Sequence, residues 1–289
     1  METTEALRRR MDSLGDLQQI VRTMKALSAV SIRQYEHAAE SLAEYQQTVR
    51  LGLQVVLREG TALLPHRTRG EESVGVVVLG TDHGLCGRFN EVIADHALEH
   101  YPRATEAGET RWLAVGERVA AALADQAGEN LKVFAVPGSA AAITSVVQQL
   151  LLEIDAWRTE GIGQIMLFHN QPTARGGYEP RRQRLYPAQL RQLRADPDQP
   201  WPSRRLPQFS MERDQLLARL LQQHYFVMLF RACAESLAAE HGSRLAAMQA
   251  AERNIDERLD EVTGQFRRVR QEHITSELLD VVSGFEAVS

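Results

Sequence analysis

The chain has 289 residues, 44% of them hydrophobic and 25% charged, with a formal net charge of −5. That is enough apolar material for one large domain or two smaller ones, and the acidic balance argues against a general polyanion binder. Cys86 and Cys233 stand far apart in sequence and fit neither a metal-ligand spacing nor a disulfide framework, which suits a reducing compartment. No apolar run approaches the roughly 20 residues of a membrane span, and the opening METTEALRRRMD lacks a signal-peptide core. Arginine supplies all but two of the 33 basic residues, the exceptions being Lys25 and Lys132.

Residues 1–58 contain no proline, and Leu7, Leu14, Val21, Tyr35, Leu42, Val49 and Val56 recur every seven residues, with Ser28 filling the one gap. A second row runs through Met11, Met24, Ala38, Tyr45 and Leu53. Two narrow seams sustained over so many heptads predict a coiled-coil helix over 1–58. From Val74 the pattern changes. VGVVVLG has no polar alternation and predicts a strand buried on both faces. TDHGLCGRFN then predicts a turn, followed by a helix to His100. RWLAVG with ERVAAALADQ, KVFAVPG with ITSVVQQLLLEIDAW, and QIMLFHN repeat the strand–helix cycle. That alternation predicts a Rossmann-like, mainly parallel α/β domain over 70–190. GGYEPRRQRLYP reads as an antiparallel edge strand, where prolines are tolerated. The proline-rich stretch 191–210 reads as a connector. Residues 211–289 again lack proline. Met248, Ile255, Val262 and Val269 form one seam and Leu245, Leu259 and Phe266 the other.

The predicted fold class is therefore α/β: a long antiparallel coiled coil of the terminal helices with an inserted α/β domain. The C-terminal helix outruns its mate, closes on Val281, Val282, Phe285 and Val288, and carries no Lys or Arg after Arg270. A greasy, uncapped helix end with nothing in its own chain to cover it predicts insertion into a partner.

Three stretches carry a family resemblance. VRTMKALSAVSIRQYE (Val21–Glu36) resembles the N-terminal helix motif of the γ subunit of F-type rotary ATP synthases. TDHGLCGRFN resembles that family's S-D-R-G-L-C-G-G-F-N, and SRLAAMQAAERNIDERLDEVTGQFRRVRQEHITSELLDVVSGFEAV resembles its C-terminal signature. The likeness spans the whole chain. It implies a central-stalk subunit without catalytic, cofactor-binding or metal-ligating residues. It would be present once per complex, among alpha and beta subunits, an epsilon subunit and a membrane c-ring, without nucleic acid. It would be held peripherally at the cytoplasmic face of the plasma membrane. By the same resemblance Met24 and Lys25 lie near the contact with the catalytic ring and Arg244 opens the C-terminal motif. Gln271, Thr275 and Glu277 match a polar trio facing the ring. Departures from the family pattern stand at His83, Arg88, Ser28 and Val30–Ser31. In these the chain is more similar to the divergent, sodium-linked N-type branch.

Other readings of the same residues are plainer. TDHGLCGRFN has neither G-x-G-x-x-G nor a P-loop lysine, so a tight strand-to-helix turn is favoured over a phosphate cradle. Cys86 reads as a buried thiol rather than a nucleophile, and His169 and His273 as packing or surface residues. The Arg-rich segment 175–213 reads as a solvated connector or a face toward acidic loops. Two other functions remain open at this point: a doubly wound enzyme with helical oligomerisation arms, and a structural coiled-coil scaffold.

Overall fold

The computed structural model describes residues 3–58, 73–101, 110–174, 176–193 and 207–286. They fall into two compact units, Val30–Ser243 and Met1–Ala29 with Arg244–Ser289.

The Val30–Ser243 unit is built on five strands: β1 (Val74–Leu79), β2 (Thr110–Val115), β3 (Leu131–Phe134), β4 (Gln164–Pro172) and β5 (Tyr178–Tyr186), in the order β3-β2-β1-β4-β5. β1 to β4 are parallel and β5 returns antiparallel along β4. The prolines of the predicted edge strand are tolerated because β5 has one unpaired side; Pro180 lies opposite Asn170. The helices α3 (Phe89–His100) and α4 (Glu117–Ala127) cover one face, where Val76, Val78 and Phe168 pack with Ile93 and Leu123. On the other face Val77, Leu79 and Leu167 pack with α5 (Ile143–Thr159), through Val147, Leu150 and Trp157. Leu229, Cys233 and Leu237 join that face from α7 (Arg213–Glu286). Cover on both faces is why β1 reads as an unbroken apolar run.

Where one N-terminal helix is expected, the chain forms two, α1 (Thr4–Ser41) and α2 (Ala43–Arg58). Ser41 Oγ donates to the Ala38 carbonyl at 2.9 Å, the acceptor that the Leu42 amide would use in an unbroken helix. The seam keeps its phase across the break: Tyr35 and Val49 are buried and Leu42 is half-buried. Within this unit the helices run antiparallel. Tyr35 stacks on His241 with ring centroids 5.5 Å apart. Tyr45 donates to Gln223 at 2.7 Å, and Val49, Leu53 and Val56 pack with Leu217. A short helix, α6 (Leu190–Leu193), precedes residues 194–206, so most of the predicted connector lies outside the described residues.

A buried polar clasp ties the sheet to α7. His169 on β4 is 1% exposed and its Nε2 lies 3.0 Å from Glu235 Oε2, while Arg231 donates to Glu235 Oε1 at 2.7 Å. Burial pushes the Glu235 carboxyl up, but the bonds from His169 and Arg231 outweigh it and hold the group below its usual range. A carboxyl depressed on folding adds stability above its unfolded pKa, and that stability is lost as pH falls through the folded value. Glu235→Gln should therefore cost about 2 kcal/mol near neutral pH, with the cost shrinking as urea unfolding is repeated at pH 4 and below. A cost independent of pH would contradict this reading.

In the second unit, residues 4–29 of α1 run antiparallel to residues 244–270 of α7. Gln18 donates to Asp256, Arg22 pairs with Glu252 at 3.1 Å and Lys25 with the same carboxylate at 2.5 Å. Leu7, Val21, Ser28, Met248 and Val262 are buried in the seam; Leu14, Ile255, Leu259, Phe266 and Val269 are half-buried. The register of Gln18 with Asp256 places Thr4, the first residue of α1, opposite Arg270. Beyond that point α7 has no mate among the described residues, and every residue from Gln271 to Leu279 is exposed.

Candidate partner-facing surfaces

An enzyme on a doubly wound sheet would use the crevice at the strand C-termini, where the strand order reverses around β1. Here the chain's own groups fill that region. The Asp82 carboxylate accepts from Glu117 N at 3.0 Å with one oxygen and from Val136 N at 2.9 Å with the other, so it caps α4. Thr81 and Asn90 exchange bonds of 3.0 and 2.9 Å, and Asn170 donates to the Phe89 carbonyl at 2.9 Å. The amides of Thr81, Glu117 and Val136 are thus engaged inside the protein. TDHGLCGRFN is a strand-to-helix turn, with Leu85 and Gly87 at positive φ. Cys86 is buried beside Phe89 and Ala239, and burial pushes the Cys233 thiol up to about 12, far from nucleophilic service. His169 is a core residue and His273 an exposed one, 3.2 Å from Glu277.

The six predicted contact residues fall into two groups. Met24 is half-buried on α1 beside Lys25, whose ammonium is engaged with Glu252. The Lys25 and Arg22 bonds hold the Glu252 carboxyl below its ordinary range. Arg244 is 8% exposed, so its side chain is covered by its own chain rather than presented outward. Gln271, Thr275 and Glu277 all stand exposed on the unmated end of α7. Thr275 Oγ1 donates back to the Gln271 carbonyl at 2.8 Å, and Glu277 meets His273, so the trio keeps acceptor and amide groups turned to solvent. Ile274, Leu278, Leu279 and Val282 are exposed beside them, Leu278 by 62%. The side chains of Val281 and Phe285, and Val288 altogether, lie outside the described set.

A further surface escapes the seam analysis. Leu17, Ile20 and Leu27 are exposed, Leu27 by 63%, and the helical period places them with Met24 on one stripe of α1 that flanks the pairing seam. Leu17 to Met24 and Ile20 to Leu27 keep a seven-residue spacing, which by itself reads as seam rather than as an exposed face.

The gamma chain of ATP synthase from Granulibacter bethesdensis is 29% identical over 307 aligned residues that cover all of both chains. That of Pelagibacter ubique is 28% identical, again with full coverage of both. The family model for ATP synthase matches residues 3–288. The chain belongs to the ATP synthase gamma family. A gamma chain is a central-stalk subunit of the synthase and not its catalytic one, in keeping with the filled crevice. The fold agrees: the rotor of the Euglena gracilis mitochondrial ATP synthase contains a chain of similar structure, with a TM-score of 0.66 at 15% identity. The match covers 94% of this gamma chain and 98% of that one. Among the described residues of the gamma chain, no helix is long and apolar enough to cross a membrane.

Proposed function

We propose that this gamma chain transmits torque between ion flow through a membrane c-ring and ATP synthesis or hydrolysis in a ring of alpha and beta subunits. The observation that carries this is the end of α7, which runs past the start of α1 and exposes Ile274, Leu278, Leu279 and Val282 beside Gln271, Thr275 and Glu277. An exposed apolar helix end of that kind is a surface suited to cover by a partner. It carries no Lys or Arg among residues 271–289, so any charge pair it makes with a partner uses its acidic residues, such as Glu277. The stripe of Leu17, Ile20, Met24 and Leu27 offers the ring a second face. The paired helices are therefore apolar on one side and charged around Lys25, Arg22 and Glu252 on another. Each angular position presents a different surface to three otherwise equal catalytic sites. Only such differential contacts can shift those sites between conformations.

The α/β unit is assigned to the c-ring and an epsilon-like subunit. It carries an apolar groove of about 1000 Å³ lined by Leu151, Leu152, Tyr186, Leu217, Leu221 and Tyr225, which supports that assignment. One copy serves each complex, held peripherally at the cytoplasmic face of the plasma membrane. The departures at His83 and Arg88 favour the sodium-linked N-type branch.

Reconstitution tests the proposal. The chain alone should show no ATP turnover. Mixed with alpha and beta subunits it should assemble and rotate during hydrolysis, as followed by a bead fixed to the α/β unit. Failure to associate with the ring, or turnover by the chain alone, would end this reading.

A further inference from the structure

The sequence reading expects no metal, because the two cysteines stand apart. The helix α3 changes that view. DHALEH places His96, Glu99 and His100 on one helix face, at the i, i+3 and i+4 positions that are neighbours on a helix surface. One ligand atom from each of the three lies within 4.8 Å of the other two. The imidazoles meet edge to face with centroids 4.7 Å apart, and both rest against Phe168 of β4, at 5.7 and 6.1 Å.

We propose that His96, Glu99 and His100 form a surface site for one divalent transition ion of the zinc class, with solvent completing the shell. Two imidazoles and a carboxylate match the borderline character of zinc, cobalt or nickel rather than the all-oxygen preference of magnesium or calcium. A tetrahedral ion with bonds of about 2.0–2.2 Å holds its donors roughly 3.3–3.6 Å apart. Rotation of the exposed Glu99 side chain can bring its carboxylate closer to the two rings. The ring of His100 is already oriented. Its Nδ1 lies 2.8 Å from the His96 carbonyl, which can only accept, so Nδ1 carries the proton and Nε2 the ligating lone pair. Burial, and then the neighbouring His100, hold His96 below the usual imidazole range. Arg182 of β5 is the opposing charge close enough to act on His96, and the Glu99 carboxylate offsets it. An ion here would pin the last turn of α3 over the sheet edge.

The test uses the untagged full chain. Its nine histidines make some background binding inevitable, so the difference between variants decides. Zinc titration by calorimetry should show one site whose affinity falls at least about tenfold in His100→Ala and in His96→Ala/His100→Ala, and less in Glu99→Gln. Cobalt(II) should give visible ligand-field bands in the wild type that the double variant lacks. Arg182→Gln should tighten zinc by removing the opposing charge. Circular dichroism checks that each variant is folded, and His100→Ala, at an exposed position, keeps the test valid if the double variant is not. Equal zinc affinity and equal cobalt bands in the wild type and His100→Ala would overturn the site.

Discussion

Replacing Leu278 and Leu279 with aspartate is expected to abolish tight capture by the catalytic ring while leaving the isolated chain unharmed. Both side chains are more than half exposed in the chain itself, so its unfolding free energy should move by no more than about 0.5 kcal/mol. In an enclosing partner each leucine would contribute about 1.5–3 kcal/mol of burial, and a buried, unpaired carboxylate would add a penalty of its own. The summed loss corresponds to a weakening of about a hundredfold or more in ring affinity. Titration of the labelled variant into alpha and beta subunits measures it, beside the wild type. Removing residues 280–289 should weaken coupling without abolishing it. If the double aspartate variant assembled and pumped like the wild type, the enclosed-tip reading would be wrong.

Gly116→Ala should unfold the α/β unit at temperatures the wild type tolerates. Gly116 sits at φ +117, a backbone region essentially reserved for glycine, and a Cβ there would lie 2.6 Å from the Thr81 carbonyl oxygen and 2.7 Å from its carbon and nitrogen. Backbone cannot swing aside as a flexible side chain can. The turn is also fixed by Gly116 N donating to the Phe134 carbonyl at 2.8 Å and by Arg118 N donating to the Thr81 carbonyl at 2.9 Å. Strain and overpacking together should cost about 3–5 kcal/mol, a large part of a domain's stability. Gly128→Ala is the matched control: it shares a positive φ, +58, but a methyl group added there would meet nothing within 4 Å, so only the smaller backbone effect applies. Thermal unfolding of the two variants separates clash from strain; equal losses would refute the clash.

The periodic elements are legible in the residues alone. Seven-residue spacing from Leu7 to Val56 and from Met248 to Val269 marks the seams because burial along a paired helix repeats at that interval, and the structure buries Leu7, Val21, Val49, Met248 and Val262. VGVVVLG marks a central strand because cover on both faces removes polar alternation. A motif picks out the polar trio Gln271, Thr275 and Glu277, and the structure places all three on the unmated end of α7.

Other features depend on atoms that meet only after folding. The break at Leu42 sits beside a Ser41 hydroxyl bonded to the Ala38 carbonyl, a contact that composition does not express. Lys25 and Arg244 look alike in sequence as exposed cations. Folding sets Lys25 on Glu252, 227 positions away, and covers the Arg244 side chain. The closing of the crevice by Asp82 needs two amides, Glu117 and Val136, brought from separate turns.

By itself the sequence determined which segments are helix or strand and that the C-terminal end is apolar, because local periodicity and side-chain chemistry are properties of the chain. Only the tertiary structure decided which polar groups remain for a partner, because hydrogen bonds and ion pairs between distant residues consume the others first.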